Sequence, residues 1–468
     1  MKRRSEELNS TPTSTSRSTS RATPILASIP NYQTTMATLP QTITSTPIPV
    51  DRQWISKLLK RFPNPHTRNP DKALVVAPMV DQSDLPFRLL CRRYGANLCY
   101  TPMIHSKLVT TSKAYREKFT GTWLEADRPL IAQLCGSDPD AMLEAARLVE
   151  PHVDGIDINC GCPQGIAKRG DYGAFLLEQD EKLLTLVKHL VKHLKVPLSV
   201  KVRLLPDPET NPHKLNDPSH VPFDTPSASL ALYGKLVDAG VHLLTIHGRT
   251  RKQKQDLTGS SDWDTIRKAV DAYGTKIPIF ANGSIETYSD VEECLRQTHC
   301  DGVMSSESLL EYPPIFYHTP QTPIRTIGRV QLAKEYMELA KEHPPQKGGQ
   351  GSGLKCVRVH MHRFLHDDLQ DDFGFRKKIV SDKTFQELEE SIEVCSQKHA
   401  RENHVVGEET LSWYRRHRDA KVQRENNRAR DKGGGDGDDD DNSVDECGEC
   451  YTGGNLFGTA NGDDDGDY

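Results

Sequence analysis

The 468-residue sequence has few of the features that define several protein classes. No stretch approaches the ~18 apolar residues of a transmembrane helix, so we expect no membrane-spanning segment and no membrane partner. Eleven cysteines in so long a chain are too sparse for a disulfide scaffold, and we expect thiols in a reducing compartment. No GxGxxG follows the first predicted strand, which disfavours a doubly wound dinucleotide-binding sheet.

The two ends of the chain differ in composition from its middle. Nineteen of the first 50 residues are Ser or Thr, and the segment lacks apolar periodicity. Residues 433–468 hold 12 acidic residues and no Lys or Arg, which leaves the rest of the chain net basic. Such segments bury too little apolar surface to offset their ordering entropy. We predict a disordered Ser/Thr-rich arm over 1–65, with a transit peptide as the alternative, and an acidic Gly/Asp-rich disordered tail over 433–468.

The middle of the chain alternates short apolar runs with helical stretches. The eight strand candidates are Ala73–Met79, Ala96–Pro102, Pro129–Gly136, Gly155–Cys160, Leu198–Leu204, Leu243–Arg249, Pro278–Ser284 and Gly302–Ser306. Eight strand–helix units in about 240 residues match the size of a TIM barrel. We therefore predict an α/β fold with a (β/α)8 barrel over 70–322, and an open doubly wound sheet is the alternative.

Polar residues crowd the C-terminal ends of these predicted strands, where a barrel builds its active site. The set comprises Gln133, Asn159, Lys201, Arg203, His247, Arg249 and Asn282. Lys201 and His247 supply donors, and Gly283 allows a ligand to approach the backbone closely. Together these residues suit a flat heterocycle that carries a phosphate, such as flavin mononucleotide (FMN).

A cysteine follows the fourth predicted strand in the segment Asn159-Cys160-Gly161-Cys162-Pro163. Cys162 lies just past the strand end, before a Pro- and Gly-shaped loop, and can project into a pocket. A thiol with its usual pKa of about 8.5 is protonated at neutral pH and can act as a general acid. Cys160 better fits a small apolar filler. Half of a metal site is the alternative reading of this cysteine pair, but nothing nearby completes it, and we predict no metal.

The region after residue 322 is predicted to be a helical domain over 323–432. Helices are expected at Val330–His343, Lys355–Leu369 and Lys383–Lys398. His360, His362 and His366 are expected to be exposed or to face RNA. Residues 411–432 combine basic side chains with two aromatic residues at their start, which suits phosphate contact and base stacking, and a solvated charged helix is the alternative.

The middle of the chain resembles the tRNA-dihydrouridine synthase family from Val75 to Leu310. The matching segments are VVAPMVDQSDLPFRLLCRRYGANLCYTPMI, QLCG, DGIDINCGCPQGIAKRGDYGAFLL, SVKVR, TIHGRTRKQK, ANGSI and DGVMSSESLL. Their details most resemble the eukaryotic branch that modifies positions 16 and 17 of the tRNA D-loop.

The resemblance implies an FMN-binding TIM barrel followed by a helical tRNA-binding domain. The implied reaction reduces the C5–C6 bond of a uridine in tRNA. NADPH or NADH reduces the flavin, flavin N5 delivers hydride to C6, and Cys162 protonates C5. The implied cofactor-binding residues are Pro78, Met79, Val80, Gln133, Lys201, His247, Asn282, Gly283, Ser284, Ser306 and Glu307. Asn159 is implied to orient the target uracil, together with Arg203 and Arg249.

Two departures and two rival functions accompany this resemblance. Many relatives carry Gly-Arg at the eighth strand, where this chain has Ser305-Ser306-Glu307. The segment Leu205–Ser227 is longer than expected, which fits a tolerated surface insertion, with a role in tRNA access as the alternative. The rival functions are a small-molecule flavin oxidoreductase on the same barrel and a catalytically silent tRNA-binding protein. We expect a monomer located in the cytoplasm or nucleus.

Overall fold

A computed structural model describes residues 47–120, 123–205, 226–253, 259–317, 327–345 and 353–401. The predictions for residues 1–46, for most of the insertion, and for the basic segment and acidic tail after residue 401 lie outside these described residues.

Nine parallel strands form the sheet of this structure, and eight of them close into a barrel. The strands are β1 (Ala73–Val76), β2 (Leu98–Tyr100), β3 (Ile104–His105), β4 (Leu130–Cys135), β5 (Gly155–Cys160), β6 (Leu198–Leu204), β7 (Leu243–Thr250), β8 (Ile279–Asn282) and β9 (Gly302–Ser305). The order β2-β1-β9-β8-β7-β6-β5-β4 closes because β2 also pairs with β4, while β3 is a short addition at the end of β4. All eight predicted strands are confirmed, and so is the TIM barrel.

Eleven helices of the described residues precede, connect or follow the strands, and all but the first lie around the barrel. They are α1 (Trp54–Arg61), α2 (Leu85–Arg93), α3 (Ser106–Thr111), α4 (Lys113–Thr120), α5 (Pro139–Val149), α6 (Gly165–Arg169), α7 (Asp180–His193), α8 (Pro226–Asp238), α9 (Trp263–Tyr273), α10 (Tyr288–Thr298) and α11 (Glu307–Glu311). Side chains that alternate along each strand point outward to these helices or inward to the barrel. In β5, Ile158 and Cys160 join the outer core, which confirms Cys160 as a buried filler.

A separate apolar cluster fills the lower half of the barrel interior. Tyr100, Ile131, Leu243, Phe280 and Met304 are among its buried members. Helix α1 adds Trp54, Ile55 and Leu59 to the same cluster, and Trp54 Nε1 donates to the carbonyl of His242 at 2.8 Å. The helix therefore closes the end of the barrel opposite the carboxyl ends of the strands.

The position of α1 corrects the prediction of a disordered arm through residue 65. The Ser/Thr-rich composition ends before residue 50, and Trp54–Arg61 is an amphipathic helix with three buried apolar side chains. Those side chains are buried against residues of the barrel base, which are distant in sequence. Local composition therefore did not predict the helix. The predicted arm therefore cannot extend as far as Trp54.

The region after the barrel is helical, as predicted. Its helices are α12 (Arg329–Glu342), α13 (Leu354–Phe364), α14 (His366–Asp371), α15 (Phe373–Ser381) and α16 (Phe385–Arg401). Helix α12 packs on α2 of the barrel, and Phe87 of α2 stacks on His360 of α13 with ring centroids 4.7 Å apart. Tyr336 and Phe364 belong to the same buried cluster as the barrel's outer core. The barrel and these helices therefore share one apolar core.

Three histidines of this region, His360, His362 and His366, are buried, contrary to the prediction that they are exposed or face RNA. His360, His362 and His366 are only 0%, 5% and 6% exposed. Helical spacing turns His360 toward Phe87 and Tyr336, so it packs as an aromatic core residue.

Among the described residues, no helix is long and apolar enough to cross a membrane.

The buried His362 predicts a pH dependence of stability. Burial, reinforced by the positive charge of Arg376, lowers the pKa of His362 to about 3. Below about pH 6.5 the unfolded chain binds a proton at this histidine, whereas the folded chain does not until about pH 3. The free energy of unfolding should therefore fall as the pH drops below 6.5, by about 2 kcal/mol near pH 5.

Urea unfolding at pH 7.5 and pH 5.0 measures this contribution. His362→Gln should lose less stability between the two pH values than the unmodified protein does. An equal loss in both proteins would show that His362 titrates normally in the folded state.

Candidate active site

The strand register gathers the predicted polar residues at one mouth of the barrel. Asn159 pairs with Lys201 across β5 and β6. Arg203 pairs with His247 across β6 and β7, and His247 pairs with Asn282 across β7 and β8. These residues lie near the carboxyl ends of adjacent parallel strands, where TIM-barrel enzymes place their active sites. The sequence-predicted set therefore forms one continuous arc.

Cys162 is held at this mouth by backbone hydrogen bonds on both sides. Its N–H donates to Asn159 Oδ1 at 2.9 Å, and the N–H of Gly161 donates to the same oxygen at 3.0 Å. The carbonyl of Cys162 accepts from the N–H of Ala174 at 3.0 Å. Gly173 has a positive φ of 70°, and a Cβ there would lie 2.6 Å from that carbonyl oxygen. The downstream glycine therefore lets the loop fold back on Cys162.

The amide of Asn159 is fully used within the protein. Besides its two accepted hydrogen bonds, its Nδ2 donates to Gln133 Oε1 at 2.8 Å and contacts Met103 Sδ at 3.1 Å. Gln133 Nε2 in turn donates to Asp157 Oδ2 at 2.8 Å. Sulfur is a weak acceptor, so the contact with Met103 Sδ is the one that Asn159 can give up at the lowest cost. A substrate carbonyl could take its place and accept from Nδ2.

Lys201 and Asp157 are oppositely charged groups inside the barrel mouth. Burial lowers the pKa of Lys201 to about 8, helped by the positive charge of Arg203 and opposed by Asp157. Burial raises the pKa of Asp157 to about 6, against hydrogen bonding and the charge of Lys201. Among the described residues, no hydrogen bond from Lys201 Nζ is formed. A Cβ on Gly161 would lie 3.9 Å from that nitrogen, so the ammonium adjoins the Cys162 loop.

His247 is neutral and has a defined tautomer. Burial, together with the positive charges of Arg203, Lys201 and Arg249, lowers its pKa well below the usual value. Arg249 Nη1 donates to His247 Nε2 at 3.1 Å, so the ring proton is on Nδ1. Arg249 also donates to the carbonyl of Gly259 at 2.8 Å. The pair therefore presents an imidazole donor beside a fixed guanidinium.

Arg203 braces the loops of two neighbouring strands. Its Nε donates to the carbonyl of Gly161 at 2.8 Å, and its Nη1 donates to the carbonyl of Thr250 at 2.8 Å. The side chain is only 8% exposed. These contacts tie the Cys162 loop to the end of β7.

A tight turn follows β8 beside this arc. Asn282 Nδ2 donates to the carbonyl of Met304 at 2.9 Å. Gly283 and Ser284 both have positive φ, of 108° and 59°, and Ser284 Oγ accepts from the N–H of Ser261 at 2.8 Å. A Cβ on Gly283 would lie 2.9 Å from Ser261 Oγ, so only glycine fits this turn without displacing a neighbour.

Ser306 directly precedes helix α11, which begins at Glu307 and follows strand β9. Ser306 is half-buried and Glu307 is exposed. An exposed carboxylate repels a phosphate. Glu307 therefore suits the predicted phosphate site only through its backbone N–H.

The loop after β1 carries Pro78, Met79 and Val80 to the same end of the barrel. Pro78 and Met79 are half-buried and Val80 is 51% exposed. The N–H of Ala77 donates to the carbonyl of Ser305 at 3.0 Å, which places the start of this loop beside β9.

The C-terminal helices hold the other end of this loop. Asp84 Oδ2 accepts from Tyr336 at 3.0 Å, Asp84 Oδ1 contacts His360 Nε2 at 3.0 Å, and Cys356 Sγ donates to the carbonyl of Asp81 at 2.8 Å. The potential metal ligands of Asp84, Cys356 and His360 lie within 4.8 Å of one another. Hydrogen bonds already connect them, and the absence of a metal site stays a prediction.

Two residues of this region were missed from the sequence. Asp157 lies inside the barrel with 0% exposure, and Ser261 supports the turn after β8. The signal for Asp157 was a carboxylate in the middle of a strand with otherwise apolar neighbours, GIDINC. Ser261 gave no signal, because its role depends on a loop approaching β8 from another part of the chain.

Comparisons with known proteins match the part of the chain that forms the barrel and the helices after it. The family model for dihydrouridine synthase (Dus) matches residues 75–402. The chain is 37% identical over 319 residues to the tRNA-dihydrouridine(16/17) synthase [NAD(P)(+)] of Schizosaccharomyces pombe, covering 67% of this chain and 74% of that protein. It is 38% identical over 330 residues to the Saccharomyces cerevisiae protein of the same name, covering 68% and 72%.

A mouse protein named tRNA-dihydrouridine(16/17) synthase [NAD(P)(+)]-like is 38% identical over 314 residues, covering 67% of this chain and 59% of that protein. Among solved structures, a 2-naphthoyl-CoA reductase complex superposes with a TM-score of 0.39 at 12% identity, covering 52% of this chain and 48% of that chain. A TM-score this low carries no argument about function. The family match covers more than half of the chain, and the chain therefore belongs to the dihydrouridine synthase family.

Proposed function

We propose that this chain modifies positions 16 and 17 of the tRNA D-loop, with FMN as its cofactor and NADPH or NADH as its electron donor. As a dihydrouridine synthase, it is an oxidoreductase that reduces uridine in tRNA to dihydrouridine. The choice of positions rests on the identity to the two yeast proteins that carry 16/17 in their names, over about two thirds of the chain.

The barrel mouth fits an FMN molecule by its chemistry. Lys201 Nζ forms no hydrogen bond among the described residues, and the neutral His247 presents Nδ1–H, so both can donate to an oxygen-rich ligand. The turn at Gly283 leaves backbone accessible beside them, which suits the phosphate end together with Asn282, Ser284 and Ser306. Pro78, Met79 and Val80 would supply apolar contact to the ring system, and Gln133 retains one amide N–H for it.

FMN, once reduced, supplies the hydride that uracil C6 receives. The residues of this chain place the base and move one proton. Cys162 holds its proton on Sγ and delivers it to C5 from a loop fixed by Asn159 and Ala174. Asn159 Nδ2 would donate to a uracil carbonyl in place of its contact with Met103 Sδ, and Arg203 and Arg249 keep the surrounding loops in place.

The substrate must present a base that can leave its stack to reach this mouth. A loop nucleotide of tRNA can be extruded at modest cost, which suits an active site at the end of a barrel. We propose that the helices after residue 327 contact the tRNA, and that the chain acts as a monomer in the cytoplasm or nucleus.

Lys201→Met tests the proposed cofactor site. Methionine keeps the apolar volume of the lysine stem but removes the ammonium, so folding should survive. Loss of a charged hydrogen bond should raise the FMN dissociation constant by about tenfold to a hundredfold. Flavin fluorescence titration measures this change. Lys188→Met, on the exposed face of α7, is the matched control and should bind FMN as the unmodified protein does. Wild-type affinity in Lys201→Met would remove Lys201 from the cofactor site.

The activity itself is tested by comparing two substrates. Purified protein with FMN and NADPH should form dihydrouridine in unmodified tRNA and should leave free uracil unreduced. Reduction of free uracil instead would favour the small-molecule oxidoreductase. Binding of tRNA without any reduction, by protein that is loaded with flavin, would favour the silent tRNA-binding protein.

A further inference from the structure

A chain of three hydrogen-bonded side chains connects the barrel interior to the Cys162 loop. It runs from the Asp157 carboxylate to the Gln133 amide and then to the Asn159 amide, with distances of 2.8 Å at each step. It ends at the backbone N–H groups of Gly161 and Cys162, at 3.0 and 2.9 Å. Asp157 and Gln133 are 0% and 1% exposed, so water does not compete for these bonds.

The two ends of this chain fix its direction. A carboxylate at one end accepts hydrogen bonds, and the backbone N–H groups at the other end can only donate. Gln133 must therefore turn its Nε2 toward Asp157 and its Oε1 toward Asn159. Asn159 must then turn its Nδ2 toward Gln133 and its Oδ1 toward the loop. Each amide has only one orientation that satisfies all four contacts.

A reversed amide at either position would break the hold on the loop. If Gln133 were turned around, its Nε2 would face Nδ2 of Asn159, and Asn159 would have to reverse as well. The reversed Asn159 would then direct Nδ2 at the N–H groups of Gly161 and Cys162, leaving donor against donor. Unsatisfied buried donors cost free energy, so the loop would leave its position.

We propose that Asp157 is a positioning residue, whose carboxylate sets the orientation of Gln133 and Asn159 and thereby fixes Cys162 for proton delivery. This inference rests on the proposed function of Cys162 as the acid. Asp157 touches neither the reacting atoms nor Cys162 itself. Its side chain lies in the polar layer inside the barrel, where Ser199 on β6 is its cross-strand neighbour.

Asp157 also lies near Lys201, and a role as a mere counter-charge is the rival account. The two accounts differ in what the substituted side chain must retain. Positioning needs an oxygen that accepts from Gln133, whether or not it is charged. A counter-charge role needs the negative charge, which Asp157→Asn and Asp157→Leu both remove.

The test compares Asp157→Leu with Asp157→Asn in the full-length protein saturated with FMN. Both variants remove the same buried negative charge beside Lys201, so a loss of stability caused by the missing charge is common to the two and does not separate them. Asp157→Leu should lower kcat by about tenfold to a hundredfold through a displaced acid, while KM for tRNA changes little. Asp157→Asn keeps an acceptor oxygen and should recover most of kcat.

Thr245→Val is the matched control. Thr245 is a fully buried polar residue of the same interior layer, opposite Lys201 on β7, but it lies outside the hydrogen-bonded chain. Its kcat should stay within about twofold of wild type, because no interaction with the loop is lost. A control that loses as much as Asp157→Leu would contradict the inference, because the loss would reflect the interior layer in general.

A second readout does not depend on FMN or on turnover. Alkylation of Cys162 by iodoacetamide in flavin-free protein, followed by peptide mass spectrometry, reports how firmly the loop is held. Asp157→Leu should alkylate severalfold faster than wild type, and Asp157→Asn should resemble wild type. Equal alkylation in all three proteins, or equal losses of kcat in Leu and Asn, would overturn the inference. If wild type made no dihydrouridine, the proposed function would fail, while the alkylation comparison would still test the chain.

Discussion

Replacing Cys162 with alanine should lower dihydrouridine formation in tRNA by about 10²- to 10⁴-fold, which is the usual contribution of a positioned general acid. The loop holds this residue through its backbone, by Asn159 on one side and Ala174 on the other. Removing the sulfur therefore leaves the loop in place and removes only the proton donor. The flavin spectrum and the tRNA dissociation constant should stay at wild-type values.

Cys160→Ala is the matched control for this result. It removes a thiol two residues away that faces the outer core of the barrel instead of the mouth. Turnover in this variant should remain near wild type, apart from a small loss of stability. Turnover by Cys162→Ala at the wild-type rate would remove this cysteine as the acid.

Replacing Asp127 with alanine should destabilise the protein by about 3–5 kcal/mol, the usual cost of removing one partner from a buried ion pair. Asp127 is fully buried between Arg88 and Arg92 of helix α2, with charged atoms 2.6 and 3.1 Å away. Alanine would leave two guanidinium groups in the interior without the carboxylate that they share. Urea unfolding at pH 7.5 measures the free energy.

Glu125→Ala is the control for Asp127, from the same short turn before β4. Its side chain is 76% exposed and pairs with Arg128 at 3.6 Å. An exposed pair of this kind contributes about 0–1 kcal/mol, so the variant should unfold almost as wild type does. A loss at Asp127 no larger than the loss at Glu125 would show that the two arginines find other partners.

The Asp127 pair also matters for the proposed site. Arg88 Nη1 donates to the carbonyl of Ser83 at 2.6 Å, at the end of the loop that carries Pro78 and Met79. The ion pair thus joins this loop to the entry of β4. Partial unfolding of Asp127→Ala should therefore release flavin before the barrel melts.

The barrel was predictable from the sequence because its signals are local. Each strand is a short run of β-forming residues, and polar residues such as Asn159 and Asn282 stand at the carboxyl ends of their strands whatever the tertiary packing. Those positions were therefore found without knowledge of register. The helix at Trp54 was missed because three buried side chains follow directly on a Ser/Thr-rich segment, and their core lies in distant strands.

The hydrogen-bonded connections of the site could not be predicted. Asn159 was assigned a direct role toward uracil, but its bond to Gln133 depends on the register of β4 against β5. His360 was read as a surface residue because helical spacing alone does not say which face the barrel covers. Such contacts join residues that are 26 or more positions apart, and no local pattern encodes them.

Mapping dihydrouridine position by position in unmodified tRNA, after incubation with this protein, FMN and NADPH, tests the central claim most directly. The account predicts product at positions 16 and 17 of the D-loop, and none from Cys162→Ala. Product confined to other positions, or none from flavin-loaded protein, would contradict it.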